Sequence, residues 1–404
     1  MRKNIKFPLA DIPPLKFLRS AWEHGWLDEY SDDHFLIKAI ENRLDDFVGK
    51  QQLVGNEANL QGFVRQNGSV NLEAFAVNFC INFSAHMGFL AHTFGTDNMR
   101  RFMMNQMSAG KKNYNEDTFF QAMSEVSVLE FLAQNCWTQA IYEPPIDKGL
   151  NDKNPEARFI MEYCPNVVET VSGAEKETII TNVEVKSPKF PHDNHIDERT
   201  IIPTILLTDE GRTKVQNFCK ENGLLYMNPR VQQLKEFIKS AAEKFELPKP
   251  NEFNLLYINW SYRDFPSNSF LEAWALLTNT LNGILTHPEI AKEYEIFPEH
   301  LQKITAVIVY TESLEGLVFS DLRYIWQRNG AGPRFRMWVL DEKLRNAELR
   351  GTSRRLFNVT HMNPDNPSNQ LFMADFKTKT PSELCMQSKV ISGLKQLICE
   401  NAKL

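Results

Sequence analysis

The sequence is poor in the usual signatures of chemistry. Six cysteines (Cys80, Cys136, Cys164, Cys219, Cys385 and Cys399) are spread over 404 residues without one C-x-x-C pair. That argues against a zinc ribbon or a secreted disulfide scaffold and favours a reducing cytoplasm. No run of about 18 apolar residues occurs, so no membrane span is expected. The start, MRKNIKFPLADIPPLKFL, is broken by Asp11 and three prolines, unlike a signal peptide. Positive charge is short as well: 45 Lys and Arg stand against 51 Asp and Glu, a net −6 at pH 7. Contact with nucleic acid would therefore need a local basic surface. SAGKK and EGRTK lack the P-loop frame, and no G-x-S-x-G or H-E-x-x-H occurs. Repeats and low-complexity tracts are absent.

What remains is a chain able to bury large cores. Its length predicts two or three lobes, and its 28 Phe supply bulky filling for them. Residues 1–105 read as a mostly helical domain. DDHFLIKAIENRLDDFV has apolar residues at helical spacing behind the capping cluster Ser31-Asp32-Asp33, and NLEAFAVNFCINFSAHMGFLAHTF reads as a buried helix. His86 and His92 in that segment read as satisfied histidines rather than metal ligands. NQMSAGKKNYN is a polar loop and a candidate boundary. Residues 106–345 form the second region. EDTFFQAMSEVSVLEFLAQN reads as an amphipathic helix, then TQAIYEPP, ARFIMEY, VVETV and ETIITNVEVK take the period of short strands. Helices follow at TDEGRTKVQNFCKENG, RVQQLKEFIKSAAEKF and FLEAWALLTNTLNGIL, with strands at FNLLYINWS, ITAVIVYTE and FRMWVL. Residues 346–404 are a less regular C-terminal extension ending in a helix. The order predicts an α/β (α+β) core on a mixed sheet.

The strand IITNVEVK carries an unusual pair. Side chains two apart on a strand share a face, so Glu184 and Lys186 project together with Ile180 and Asn182, while Ile179, Val183 and Val185 line the other face. Upstream, Pro155-Glu156 opens the preceding strand. Further back, Glu125 lies at the edge of the helical face made by Ala122, Val126, Leu129 and Leu132. Glu130 competes with Glu125 from the opposite edge, and Glu162 competes with Glu156 from the same strand.

This order of helix Glu, Pro-Glu and Glu-Val-Lys resembles the core of the PD-(D/E)XK nuclease superfamily, over roughly residues 115–260. One slot departs: Glu156 stands where the family usually has Asp. The resemblance implies a restriction-endonuclease-like fold flanked by helices. It implies a Mg²⁺-dependent endonuclease, with Mn²⁺ as the alternative ion, acting on DNA in restriction, phage defence or repair. Glu156, Glu184 and the backbone carbonyl of Val185 would hold the metal, and Lys186 would orient water and offset phosphate charge. Glu125 would hold a second ion or hydrogen-bond to Lys186. Hard Mg²⁺ takes one or two carboxylates plus waters and substrate phosphate, which suits so small a ligand set. A non-catalytic nuclease-like binding module is the alternative. A homodimer or partner subunit is common in such proteins.

Two further stretches carry phosphate-binding character. KSPKFPHDNHIDER follows the motif strand and brings Lys189 near the site. Its His192, Asp193, His195 and Asp197 read as a solvated loop rather than a transition-metal site. Between Arg323 and Arg355 nine Lys or Arg face three acids, among Trp326, Phe335 and Trp338, with Phe357 just beyond. Arg334, Arg336, Arg354 and Arg355 are the candidates there for backbone contacts with nucleic acid.

Overall fold

The computed structural model describes residues 2–44, 72–134, 137–144, 154–163, 177–188, 199–201, 209–222, 225–227, 231–260, 288–310 and 336–339, with short or single positions at 273, 276–277, 283–285, 360–361, 373–374, 393, 396–397 and 400. Among the described residues, the regular elements of the first third of the chain are helical: α1 (Lys16–Glu23), α2 (Phe35–Ile40), α3 (Leu72–Phe94), α4 (Thr96–Phe102), a π-helical turn (Met103–Met107) and α5 (Glu116–Ala133). Helix α5 starts where Asn115 accepts the Thr118 N–H at 2.9 Å, with Glu116 and Asp117 in its positive first turn. The loop before it turns at Gly110, whose φ is +90° and where a Cβ would collide with the carbonyl of Asn113.

The helix expected behind Ser31-Asp32-Asp33 is shorter and capped differently. His34 is the N-cap, its ring nitrogen accepting the Leu36 N–H at 3.1 Å while the other nitrogen meets the Met107 carbonyl at 2.9 Å. Burial keeps this imidazole neutral and pushes its pKa down to about 3. The helix closes after Ile40, where Asn42 turns left-handed at φ 53°. Helix α3 also departs from expectation. Its 22 residues Glu73–Phe94, at a mean hydropathy of 1.3, are long and apolar enough to cross a membrane, yet 44% of the stretch is buried inside the protein. Phe75, Phe79, Phe83 and Met87 face that interior. The occasional Asn and Ser hid this span from a search for an unbroken apolar run.

Among the described residues the strands form two sheets. The larger runs in the order β1 (Gln139–Tyr142), β2 (Ala157–Tyr163), β3 (Glu177–Lys186), β6 (Glu252–Asn259), β7 (Ala306–Tyr310), β8 (Arg336–Val339) and β9 (Thr360–His361). Strands β1 to β3 are an antiparallel meander, and β3, β6 and β7 run parallel. Between β3 and β6 come α6 (Asp209–Glu221) and α7 (Val231–Lys244). A small sheet joins β10 (Met373–Ala374), β4 (Arg199–Ile201) and β5 (Leu225–Met227). Strands of two or three residues show no periodicity, and β4, β5 and β10 were not foreseen. The segments VVETV and SGAEKE lie outside the described residues.

The centre of the large sheet is covered on both faces, as parallel strands require. On one face Ile179, Val183, Val185, Leu255, Tyr257 and Ile308 join a core that runs through α3 and α5 to Phe7 near the start of the chain. On the other, Leu256, Ile258, Val307 and Val309 meet Leu234, Ile238, Ala241 and Phe245 of the α7 segment. On this second face β3 is polar, and its neighbours answer it. Asn182 Nδ2 donates to Asn254 Oδ1 at 2.7 Å and Glu252 Oε1 at 2.9 Å, while Asn182 Oδ1 accepts from Arg158 Nε at 2.7 Å. This ladder pins the register of three strands, because a one-residue slip would send each polar group into the apolar core. Replacing Asn182 with Ala strands the buried Asn254 and two part-buried partners, Arg158 and Glu252. We expect a loss of about 2–4 kcal/mol, read as a lower urea midpoint; an unchanged midpoint would show that the ladder is dispensable.

Candidate active site

The register brings one rim of the sheet together. Tyr142 lies opposite Ala157, Ala157 opposite Val183, and Val183 opposite Leu255. The end of β1, the start of β2 and the carboxyl ends of β3, β6 and β7 therefore share an edge. Crevices at the carboxyl ends of parallel strands are where α/β sheets usually bind ligands. Glu156 precedes β2 by one residue, and its N–H donates to the Val183 carbonyl at 2.9 Å. Its own carbonyl accepts the N–H of Glu143 at 2.9 Å, a residue held in a left-handed turn at φ 42°. Such strained backbone is concentrated at functional sites.

Glu156, Glu184 and Lys186 lie together at this rim, with one addition. Glu184 is fully buried, and Lys186 Nζ lies 2.6 Å from its Oε1. The addition is Lys244, on the last turn of α7. Its Nζ is 2.7 Å from Glu184 Oε1, 2.9 Å from Glu184 Oε2 and 3.0 Å from Glu156 Oε1. Glu156 and Glu184 thus point to the same side of the sheet and share one ammonium. Lys244 went unnoticed because it is 58 residues beyond Lys186 on another element. The signal available was its place at the margin of the stripe formed by Leu234, Ile238, Ala241 and Phe245, where a long stem can lie on apolar surface and carry a charge to the sheet rim.

Glu125 enters from α5, on the other side of the rim. It is buried, and the Tyr142 hydroxyl donates to its Oε1 at 3.1 Å. Its partner is thus Tyr142, in place of the Lys186 amine that the motif suggested. One residue earlier, Ser124 Oγ accepts from Ser187 Oγ at 3.0 Å and from Asn259 Nδ2 at 2.9 Å, tying α5 to the ends of β3 and β6. The competing carboxylates are committed elsewhere. Glu130 pairs with His86 of α3, which also gives that histidine its partner. Glu162 is exposed at the far end of β2, roughly 20 Å of strand from Glu156.

Burial dominates the electrostatics. It pushes the Glu184 carboxyl up from its ordinary 4.5 to about 7, with Glu156 adding repulsion and Lys186 and Lys244 pulling the other way. It pushes Glu125 well above the carboxylate range, helped by Glu156 and Glu184 and opposed by the Tyr142 hydrogen bond and Lys244. Glu143 rises for the same first reason, then through Glu156, with Arg101 of α4 opposing. Gln106 of the π-helical turn donates to Glu143 at 3.2 Å, so the helical lobe reaches the rim. For Lys244 burial works against the charge, but Glu156 and Glu184 outweigh it and hold the ammonium above its ordinary value.

Three oxygens from two strands meet one positive nitrogen, so this donor set is hard, anionic and directed at a single point, which fits a hard divalent cation. Val185 turns its side chain into the core, leaving its carbonyl as its only contribution to the rim. Among the described residues no three His, Cys, Asp or Glu side chains form a metal cage of their own. Arg336 opens β8. Lys189, Arg334, Arg354 and Arg355, with His192, Asp193, His195 and Asp197, lie outside the described residues. No family model, curated protein or solved structure matches this chain.

The raised carboxyl of Glu184 sets a pH dependence. A group that keeps its proton to higher pH when folded favours the folded state below its unfolded pKa and loses that contribution as pH rises through the folded value. In metal-free buffer the melting temperature should therefore fall between pH 4.5 and about 7, with Glu125 and Glu143 acting in the same direction. Glu184→Gln should flatten this slope in a thermal melt series, and an undiminished slope would remove Glu184 from the account.

Proposed function

We propose that this chain is a divalent-metal-dependent nuclease that hydrolyses phosphodiester bonds, with DNA as the expected substrate. The observation that carries the reading is the convergence of Glu156 and Glu184 on one cationic point, at 2.7–3.0 Å, with the Lys186 amine 2.6 Å from the shared carboxylate. The order α5, three-stranded meander, α7, parallel β6 supports it. The motif residues of the PD-(D/E)XK resemblance also fall on one rim, Glu125 on the helix and Glu156 at the mouth of its strand. We infer from this a restriction-endonuclease-like core.

The chemistry assigned to the residues follows from their placement. A bound Mg²⁺ or Mn²⁺ would lower the pKa of its water and neutralise phosphate charge. Glu156 and Glu184, with the Val185 carbonyl, would hold that ion. Lys186 places a positive charge beside the carboxylates, where it can orient the attacking water and stabilise charge that grows on the phosphate oxygens. Burial, with Glu156 and Glu184 nearby, raises the pKa of Glu125 beside Tyr142, which favours its neutral form and limits the negative charge of the rim. Lys189 and the basic residues Arg334, Arg336, Arg354 and Arg355 are proposed to hold the nucleic-acid backbone.

A second reading has its own observation. Lys244 and Lys186 already pair with the two carboxylates, and Glu156 occupies the slot where the resemblance expects Asp, so the rim can also be a self-contained ion-pair network in a nucleic-acid-binding module without catalysis. Incubation with plasmid and with single-stranded oligonucleotides separates the two. Catalysis predicts cleavage with Mg²⁺ or Mn²⁺ that EDTA abolishes. Lys186→Ala should reduce it by about 10²-fold or more, while Glu184 retains Lys244 as a partner and the circular dichroism spectrum is preserved. Cleavage unchanged in that variant would refute the mechanism; no cleavage by the parent protein with retained DNA binding would favour the module.

A further inference from the structure

Lys244 occupies the place where a metal ion would have to go. Its Nζ lies 2.7 and 2.9 Å from the two oxygens of Glu184 and 3.0 Å from Glu156 Oε1. Both carboxylates are at most 10% exposed and the lysine side chain 13%. A divalent ion bound by the same oxygens would need them at about 2.0–2.4 Å, and two cations cannot share the point those oxygens surround. Lys186, by contrast, pairs with Glu184 Oε1 at 2.6 Å, whereas Lys244 bridges Glu184 and Glu156. The two amines are therefore not equivalent.

We propose that Lys244 is a resident cation of the metal seat: it holds Glu156 and Glu184 in position when no ion is bound, and divalent loading expels its ammonium towards the mouth of the site. This rests on the metal-binding reading above. The expelled amine leaves from the tip of a flexible four-carbon stem at the last turn of α7, so the helix need not move. Its nearest strong anionic partner then becomes a phosphate of the substrate. Metal and substrate would thereby favour each other, the metal by freeing the amine and the phosphate by receiving it. Intrinsic metal affinity is kept low until nucleic acid arrives, which restrains a hydrolytic site in the absence of substrate.

The test compares Mn²⁺ binding by the parent protein and by Lys244→Gln, using calorimetry and the thermal shift in EDTA against Mn²⁺. Removing a competing cation should tighten Mn²⁺ binding by about tenfold, a difference of ~1.4 kcal/mol, and should enlarge the Mn²⁺-induced rise in melting temperature. A lysine that merely braces the carboxylates predicts the opposite, equal or weaker binding in the variant, and that result overturns the inference while leaving the metal site intact. Absence of Mn²⁺ binding in both proteins overturns the proposed function as well. Should Lys244→Gln fail to fold, the parent protein decides. Acetylation of Lys244 by a water-soluble succinimidyl ester, followed by peptide mass spectrometry, should rise several-fold when Mn²⁺ replaces EDTA, and unchanged labelling sinks the idea.

Discussion

Charge balance at a buried rim is the constraint from which the rest follows. Glu125, Glu156 and Glu184 are each at most 8% exposed, and isolated carboxylates at such depth are not tolerated. Lys186 and Lys244 supply two compensating charges, and burial, with Glu156 and Glu184 nearby, raises the pKa of the third carboxyl, Glu125. The two ammonium groups offset much of the carboxylates' charge, so the rim can be assembled before a ligand arrives. A buried pair of this kind is weak evidence for stability, since desolvation offsets much of the attraction.

The sheet makes the rim possible through division of labour in β3. Its odd-numbered positions, Ile179, Thr181, Val183 and Val185, face the core shared with α3 and α5, and all four are buried. Its even-numbered positions carry Asn182, then Glu184 and Lys186. Asn182 is fixed by Arg158, Glu252 and Asn254, so the charges two and four residues further on are delivered in a fixed register. The polar ladder sets the address, and the ion cluster occupies it.

Much of this was readable from local pattern. The alternation of ETIITNVEVK and ARFIMEY matched β3 and β2 residue for residue. What the chain order could not supply were partners distant in sequence. Glu125 and Glu130 were equivalent on a helical wheel; only the packing of α3, which presents His86 to Glu130, separates them. Lys244 was indistinguishable from any lysine near a helix end until α7 lay across the sheet. The short strands β4, β5 and β10 have too few residues to express a period.

Helix α5 connects the two halves of this architecture. On successive positions it presents Ser124, which binds Ser187 and Asn259 at the strand ends, and Glu125, which faces Tyr142. One and a half turns later, Glu130 binds α3 in the helical lobe. The same rod is therefore fixed to the sheet through hydroxyls and amide, and to the lobe through the Glu130–His86 contact and a continuous apolar core. Gln106 and Arg101 approach Glu143 from that lobe as well. The helical region thus holds two separate grips on the rim, one through α5 and one through the π-helical turn.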